Sequence, residues 1–217
     1  MAVSRAVLTI DLGVKVATVG LLAWAVLSPD LPQFQGKAFT GRALAYPVTL
    51  LAIPAVWWLL GRRWIPFPVA SDLLFGLPFL IDVAGNALDL YDTIEWWDDA
   101  NHLVNWALHT AAIGLLLRLG GWSRNTRIAL AFGYAVTTAV LWEFAEFVTF
   151  VPNSPEATSA YADTLGDLAL GMLGGLVAAI ATARLPARLP ATLTGPLSSR
   201  MSSGAEPRSD EAEATSA

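Results

Sequence analysis

The sequence predicts an all-α, polytopic membrane protein, a bundle of about six transmembrane helices. Of its 217 residues, 55% are hydrophobic and only 14% are charged, and the mean hydropathy is +0.53. Soluble domains carry about 25% charged residues, so this composition favours a membrane protein. Apolar runs near the twenty residues that a bilayer requires also recur along the chain.

Six apolar segments of spanning length follow one another. They are Ala6–Leu27, Ala43–Leu60, Leu73–Tyr91, Ala100–Leu119, Ile128–Val151 and Ala162–Ala183. The third and sixth contain acids and are expected to fall below a strict hydropathy threshold, so a five-span alternative stays open. Pro47, Pro54 and Pro78 can kink the second and third spans, since proline removes a helical hydrogen bond.

The first segment has two interpretations. Arg5 and the sequence Ala23-Trp24-Ala25 resemble the basic flank and cleavage site of a signal peptide. Asp11 and Lys15 interrupt its apolar run, however, and this favours a retained span. Their four-residue spacing predicts that they pair with each other.

Basic residues predict the orientation. They lie at the N-terminus, in the second and fourth loops and after the last span, whereas the other side holds only Lys37 and Arg42. The positive-inside rule then places both termini in the cytoplasm. Residues 1–183 form the predicted membrane domain. Residues 184–217, rich in Pro, Ala, Ser and Thr, form a predicted disordered cytoplasmic tail.

Composition also excludes several classes of site. The chain has no cysteine, so disulfides, thiolate catalysis and cysteine-ligated metal are excluded. The net charge of −5 and the lack of a basic patch indicate no nucleic-acid partner. The lipid bilayer is the one partner that the composition predicts, and no protein partner can be named.

Polar and acidic residues recur on single helix faces inside the apolar segments. The four stretches are Asp82–Asn86–Asp89, Asp98–His102–Asn105–His109, Glu143–Glu146 and Asp163–Asp167. Intervals of three, four, seven and eleven residues return to nearly the same side of a helix. Burying a carboxylate in hydrocarbon costs several kcal/mol unless it is paired, protonated or bound to a cation. The predicted topology brings these stretches to the outer side, as a polar cavity.

Some of these acids have a simpler interpretation. Asp98, Asp99 and Asp163 can be solvated residues at helix starts, where the helix dipole favours them. Asp82, Asp89, Glu143 and Asp167 have apolar sequence on both sides and favour a shared site.

Such a cluster needs compensation for its charge. No lysine or arginine falls in the outer halves of spans three to six, so the two histidines, shared protons or a bound cation must supply it. A divalent metal is therefore a candidate cofactor. The candidate ligands are Asp82, Asp89, Asp98, His102, Glu143, Glu146, Asp163 and Asp167. Five of them are also candidate catalytic residues, namely Asp98, His102, Glu143, Glu146 and Asp167.

Three motifs occur in order, namely Trp97-Asp98-Asp99-Ala100-Asn101-His102, Trp142-Glu143-Phe144-Ala145-Glu146-Phe147 and Tyr161-Ala162-Asp163-Thr164-Leu165-Gly166-Asp167-Leu168. This pattern resembles the bacterial inner-membrane family typified by YjdF, and more distantly the VanZ-like proteins, over about Asp82 to Leu176. The resemblance implies a multi-pass protein of the bacterial cytoplasmic membrane. Asp99 stands where the VanZ-like pattern often has a lysine, and Trp106 stands where a small residue is common.

Three functions stay open. The first is a membrane enzyme acting on a lipid or lipid-linked envelope precursor, with carboxylates as metal ligands or general base and His102 as acid or base. The predicted lack of a base in the site counts against phosphoryl chemistry. The second is an ion- or proton-coupled transporter, although no internal repeat between the two halves is visible. The third is a non-enzymatic membrane scaffold or resistance factor.

Overall fold

A computed structural model describes residues 5–149 and 158–187 as a helical bundle. The helices within these ranges are α1 (Arg5–Leu27), α2 (Phe39–Leu50), α3 (Ala52–Val56), α4 (Val69–Ala87), α5 (Leu90–Thr93), α6 (Trp97–Leu117), α7 (Arg124–Thr149) and α8 (Ala160–Ala183). A 3-10 turn at Pro32–Phe34 precedes α2, and a π-helical turn at Trp57–Gly61 follows α3. The described residues contain no β-strand, which confirms the predicted all-α class.

Five helical stretches in these ranges are long and apolar enough to cross a membrane, which confirms a polytopic bundle. They are α1, the composite stretch Phe39–Gly61, α4, α7 and α8. The prediction that the third and sixth spans would fail a strict threshold was wrong, since α4 and α8 both pass. The fourth, α6, is absent from this set because two asparagines and two histidines lower its hydropathy.

Helix α6 nevertheless has the length of a span. Its 21 residues extend about 30 Å, at 1.5 Å per residue. It packs against α4, α7 and α8, so its polar side is covered by protein. The length and placement of α6 suit the predicted fourth span, and the count of six spans stays a prediction.

The second span is interrupted, as its prolines predicted. α2 ends at Leu50, and Leu51 separates it from α3. Pro54 has no N–H to donate to the carbonyl of Leu50, and its ring crowds that carbonyl. The stretch then widens into the π-helical turn, so this span is a chain of short helical pieces.

Charged and aromatic contacts hold the first half of the bundle together. Lys15 of α1 lies 2.5 Å from the carboxylate of Asp11, which confirms the predicted pair, and 2.8 Å from that of Asp72 in α4. Both aspartates are almost fully buried. A hydrophobic core draws on α1, the 3-10 turn, α2 and α4 and includes Leu22, Phe34, Phe39, Tyr46, Leu50, Phe79 and Val83.

Small residues pack the second half. Ala131, Ala135 and Ala139, spaced by one helical turn on α7, are fully or almost fully buried. On α8, a β-carbon at Gly174 would lie 2.1 Å from the carbonyl oxygen of Leu103 in α6, and one at Gly175 would lie 2.5 Å from Ala135. Side chains at these positions would separate the three helices, so glycine allows the close backbone approach typical of membrane bundles.

Arg127 fixes one end of this half. Its guanidinium donates to the backbone carbonyls of Ala183 and Leu185, at 2.9 and 3.1 Å, and so joins the start of α7 to the end of α8. Nearly all of the predicted tail, and the end of the fifth predicted span at Val151, lie outside the described residues. The boundary between membrane domain and tail therefore stays a prediction.

Candidate functional site

Four helix ends meet at the end of the bundle opposite Arg127, as the sequence predicted. They are the end of α4, the start of α6, the end of α7 and the start of α8, and we call this the site end. Gly85 of α4 allows Trp97 of α6 to approach, since a β-carbon at Gly85 would lie 2.6 Å from the Trp97 indole nitrogen. Each predicted polar stretch contributes at least one residue here, namely Asp82, Asp98, His102, Glu143 and Asp167.

His102 of α6 is the centre of the site. Its imidazole is 6% exposed and has carboxylates on both sides. Nε2 lies 3.8 Å from Asp98 Oδ1 and 3.7 Å from Asp167 Oδ1, whereas Nδ1 lies 3.7 Å from Glu143 Oε1. Three helices therefore contribute acids to one histidine.

Two groups of side chains around His102 have the proximity that a metal ion requires. One is Asp98, His102 and Asp167, and the other is His102, Glu143 and Glu146. Within each group the ligand atoms all lie within 4.8 Å of one another. Five of the eight predicted ligands are thereby brought together, and they are the five that were also candidate catalytic residues.

Within the ranges that the structure describes, several buried polar atoms in and around the site lack hydrogen-bond partners, including Trp97 Nε1, Asn105 Oδ1 and His109 Nδ1. Among the described residues, neither His102 Nδ1 nor Asp167 Oδ1 finds one, although both are buried. A buried polar atom left unpaired costs about 1–3 kcal/mol. Asp167 Oδ1 is therefore available to a bound group, and His102 Nδ1 faces Glu143 without yet reaching hydrogen-bond distance.

Glu143 and Glu146 differ in their surroundings. Glu143 is buried, with 8% of the residue exposed. Glu146, nearly one turn further along α7, is half-buried. Asp98 is more open still, with 45% of its side chain exposed, so it lies at the mouth of the site.

Asp82 has a different role from the one its spacing predicted. Arg42 of α2 donates to both of its carboxylate oxygens, at 2.7 and 2.8 Å, and Tyr46 donates at 2.6 Å. Tyr91 and Asn86 add longer bonds at 3.2 and 3.4 Å. With its oxygens occupied in this way, Asp82 is a structural anchor and lies outside both metal-ligand groups.

Arg42 corrects the expectation that no base enters the site end. It precedes the third span in sequence, and only the packing of α2 on α4 brings it to Asp82. The available signal was a single arginine in the apolar stretch that begins at Ala38. Tyr46, one turn later on the same face, was missed in the same way.

Two other predicted ligands also lie apart. Asp89 occupies a left-handed backbone conformation, with φ of 60°, between α4 and α5. Asp163 is exposed in the first turn of α8. Neither belongs to the two metal-ligand groups found among the described residues.

Tyr91, in the short helix α5, lies outside the spanning helices. Burial raises the pKa of its hydroxyl, and the negative charges of Asp82 and Asp98 raise it further. It therefore remains a neutral hydrogen-bond donor to Asp82 across the physiological pH range.

The deeper part of the site is aromatic. The His109 ring is buried against Phe75, Phe79 and Trp106, at centroid distances of 4.8, 5.4 and 5.6 Å. Trp106 occupies the space left by Gly171 of α8, where a β-carbon would lie 2.6 Å from the indole ring. The bulky residue that departs from the VanZ-like pattern is thus accommodated by a glycine on the facing helix.

A family model described as "Predicted membrane protein (DUF2238)" matches residues 10–188. The chain belongs to this family. The match includes every helix that contributes to the site and extends well beyond the stretch from Asp82 to Leu176 on which the earlier resemblance rested. The match supports a membrane location and does not identify a reaction or a ligand.

Comparison with curated proteins and with solved structures gave no match.

Proposed function

We propose that this protein is a metal-dependent membrane enzyme whose divalent cation is held at the site end by Asp98, His102 and Asp167. The observation that carries the proposal is the group Asp98, His102 and Asp167, whose ligand atoms lie within 4.8 Å of one another and in which Asp167 Oδ1 is buried without a hydrogen-bond partner among the described residues. Three or more acids around one histidine in hydrocarbon are costly unless they are protonated or neutralised, and a bound cation would neutralise them together. Arg42 is already engaged by Asp82 and does not neutralise them.

The distances support a cation better than direct hydrogen bonds. The nitrogen–oxygen separations of 3.7–3.8 Å around His102 exceed hydrogen-bond length. Two ligand atoms that each lie about 2.0–2.2 Å from one ion are separated by roughly 3–3.5 Å. Each carboxylate oxygen would therefore need to approach His102 Nε2 by only a few tenths of an ångström for one ion to bind both atoms.

The two nitrogens of His102 divide the carboxylates into two sets. The nitrogens point away from each other, so one ion can bind only one of them, and a neutral imidazole has one acceptor and one donor. We assign the ion to Nε2, between Asp98 and Asp167, because α6 and α8 are fixed against each other by Gly174. Nδ1–H then faces Glu143, and closing their 3.7 Å separation to hydrogen-bond length would give the arrangement that commonly orients a metal-binding histidine.

This assignment leaves Glu146 available for chemistry. A divalent cation bound here would supply Lewis acidity to a water molecule or a substrate oxygen. Glu146 is half-buried and close to His102, and so is placed to accept a proton. The mouth at Asp98 lies at the site end, where a spanning helix would begin at the membrane surface. This position suits a lipid or lipid-linked envelope precursor as substrate.

The cellular setting is part of the proposal. We infer a bacterial inner-membrane protein of the YjdF type with both termini in the cytoplasm, which would open the site to the outer side. The positions of the basic residues and the three ordered motifs support this. The more distant VanZ-like relationship gains no support from the family match.

Metal analysis of the purified protein tests the site. We expect about one zinc or manganese ion per chain, lost in Asp167→Asn and bound 10–100-fold more weakly in Glu143→Ala. Asp163→Asn is the matched control, since Asp163 is an exposed acid one turn away on the same helix and should leave the metal in place. A wild-type protein that binds no divalent ion, or equal metal loss in Asp163→Asn, would overturn the proposal.

Lipid turnover tests the enzymatic part. Membranes that contain wild-type protein should show a change in a lipid or lipid-linked species that chelator abolishes, and Glu146→Gln should abolish the change while keeping the metal. Asp167→Asn and Glu143→Gln should each cause most of the loss seen in their double variant, because one shared ion couples them. Additive losses would contradict a shared ion.

A further inference from the structure

An apolar groove lies on the composite second span, away from the site end. The break after α2 and the π-helical turn open a groove of about 680 Å³ on the surface of the bundle. Leu51, Pro54, Ala55, Trp57, Trp58, Leu59 and Phe67 line it. Every lining residue is apolar or aromatic.

The segment that follows the π-helical turn packs back against Trp57 and forms one side of the groove. Trp57 donates its indole N–H to the carbonyl of Ile65 at 3.0 Å, and its ring packs edge-on against Phe67 at 5.1 Å. These contacts fold the segment after the π-helical turn back over α3. π-helical turns are rare and frequently mark functional sites.

Two arginines stand at the end of this groove. Arg62 and Arg63 are both exposed, and Arg62 lies over the Trp58 ring at 4.4 Å from its centroid. Within the described part of the chain neither forms an ion pair, and the sequence has no acid between Asp30 and Asp72. Exposed positive charge next to an apolar groove, with no acid nearby, is complementary to an amphiphile that carries negative charge.

We propose that this groove is a binding site for an anionic phospholipid, with an acyl chain along Leu51, Ala55 and Phe67 and the phosphate at Arg62 and Arg63. Arginine is well suited to phosphate because its planar guanidinium donates in a fork. Basic residues that flank spanning helices are known to recruit anionic lipid headgroups. The site is independent of the proposed metal site and would be occupied whether or not that site is an enzyme.

Native mass spectrometry in detergent with added phosphatidylglycerol or phosphatidylcholine tests this assignment. Wild-type protein should retain phosphatidylglycerol in preference to phosphatidylcholine. The double variant Arg62→Gln/Arg63→Gln should reduce that preference by on the order of tenfold. Arg124→Gln, which removes an exposed arginine at the start of α7, is the matched control and should change nothing.

Two further measurements distinguish a bound lipid from free phosphate and from a second copy of the chain. Ala55→Phe should weaken retention by filling the groove, and inorganic phosphate at millimolar concentration should not displace the lipid. Retention unaffected by Ala55→Phe, displacement by free phosphate, or no preference between the two lipids would each overturn the proposal. A dimer that forms in the wild type and dissociates in Ala55→Phe would instead assign the groove to a second copy of the chain.

Discussion

Arg42 and Asp82, forty residues apart on α2 and α4, form a buried ion pair in which one guanidinium nitrogen contacts both carboxylate oxygens at 2.7 and 2.8 Å. The pair joins the interrupted second span to the third, at the same end as the candidate metal site. Its position explains how an acid predicted as a ligand is instead part of the scaffold.

The variant Arg42→Gln is expected to destabilise the protein strongly. Breaking a buried pair leaves an uncompensated charge and costs about 3–5 kcal/mol. Asp82→Asn should cost a similar amount and, in contrast to Asp167→Asn, should leave metal binding intact when assayed below its reduced melting temperature. Thermal unfolding in detergent provides the measurement. Metal loss in Asp82→Asn with unchanged stability would contradict the scaffold role.

Tyr91→Phe is expected to reveal a pH dependence of stability at the alkaline end. Because the pKa of Tyr91 is raised in the folded protein, its contribution is fully present below the ordinary tyrosine value of about 10 and is lost as the pH rises above it. Between pH 6 and 9 the wild type should exceed the variant by a constant amount, about 1.5 kcal/mol for a bond to a charged acceptor. Above pH 10 the difference should shrink. A difference that grows with pH would refute the assignment.

Lys15→Met is expected to destabilise the α1–α4 contact. Asp11 and Asp72 would face each other without their shared cation, again at a cost of about 3–5 kcal/mol. The triple variant Asp11→Asn/Lys15→Met/Asp72→Asn removes all three charges and should recover most of the loss, since the effects are coupled. A comparison of the unfolding midpoints of the two variants tests whether the uncompensated charge causes the loss of stability. Equal midpoints would mean that the charge triad is not the cause.

Gly174→Ala is expected to separate α6 from α8, because the new β-carbon would lie 2.1 Å from the Leu103 carbonyl oxygen. The variant should lower the melting temperature and weaken metal binding together, since Asp98, His102 and Asp167 span the same helix pair. Gly133→Ala on α7 is the control, as a β-carbon there meets nothing within 4 Å. Its stability should be unchanged or slightly higher. Full metal affinity in Gly174→Ala would show that the site does not depend on this contact.

The predicted orientation can be tested with single cysteines in this cysteine-free chain. Asp30→Cys lies before α2, at the site end, and Asn125→Cys lies at the start of α7, and both positions are exposed. An impermeant thiol reagent should label the first in intact cells and the second only after lysis. The reverse pattern would invert the topology and close the site to the outer side.

Much of this structure was accessible from sequence, for identifiable physical reasons. Hydrophobic runs located the helices because a bilayer demands a minimum apolar length, and helical spacing selected His102, Glu143 and Asp167 because each has its neighbours on one face. Both signals are local. They require no knowledge of which helices touch.

What the sequence missed depends on contacts between distant helices. Arg42 with Asp82, and Asp72 with Lys15, are pairs whose partners lie 40 and 57 residues apart, so no spacing rule connects them. Similarly, Trp106 stands where a small residue was expected, and only the packing shows that Gly171 on the facing helix makes room for it. The distinction between Asp82 as anchor and Asp167 as candidate ligand rests on which oxygens are already bonded, and only packing reveals that.

The polar face of α6 bears on the biogenesis of the protein. A helix with Asn101, His102, Asn105 and His109 on one side is synthesised before α7 and α8, which pack against it. Alone in lipid it would expose groups whose covering surface includes Asp167, more than sixty residues later in the chain. We therefore expect α6 to be stably integrated only once α8 has been made, and a chain truncated before Ala160 to be degraded faster than the full chain.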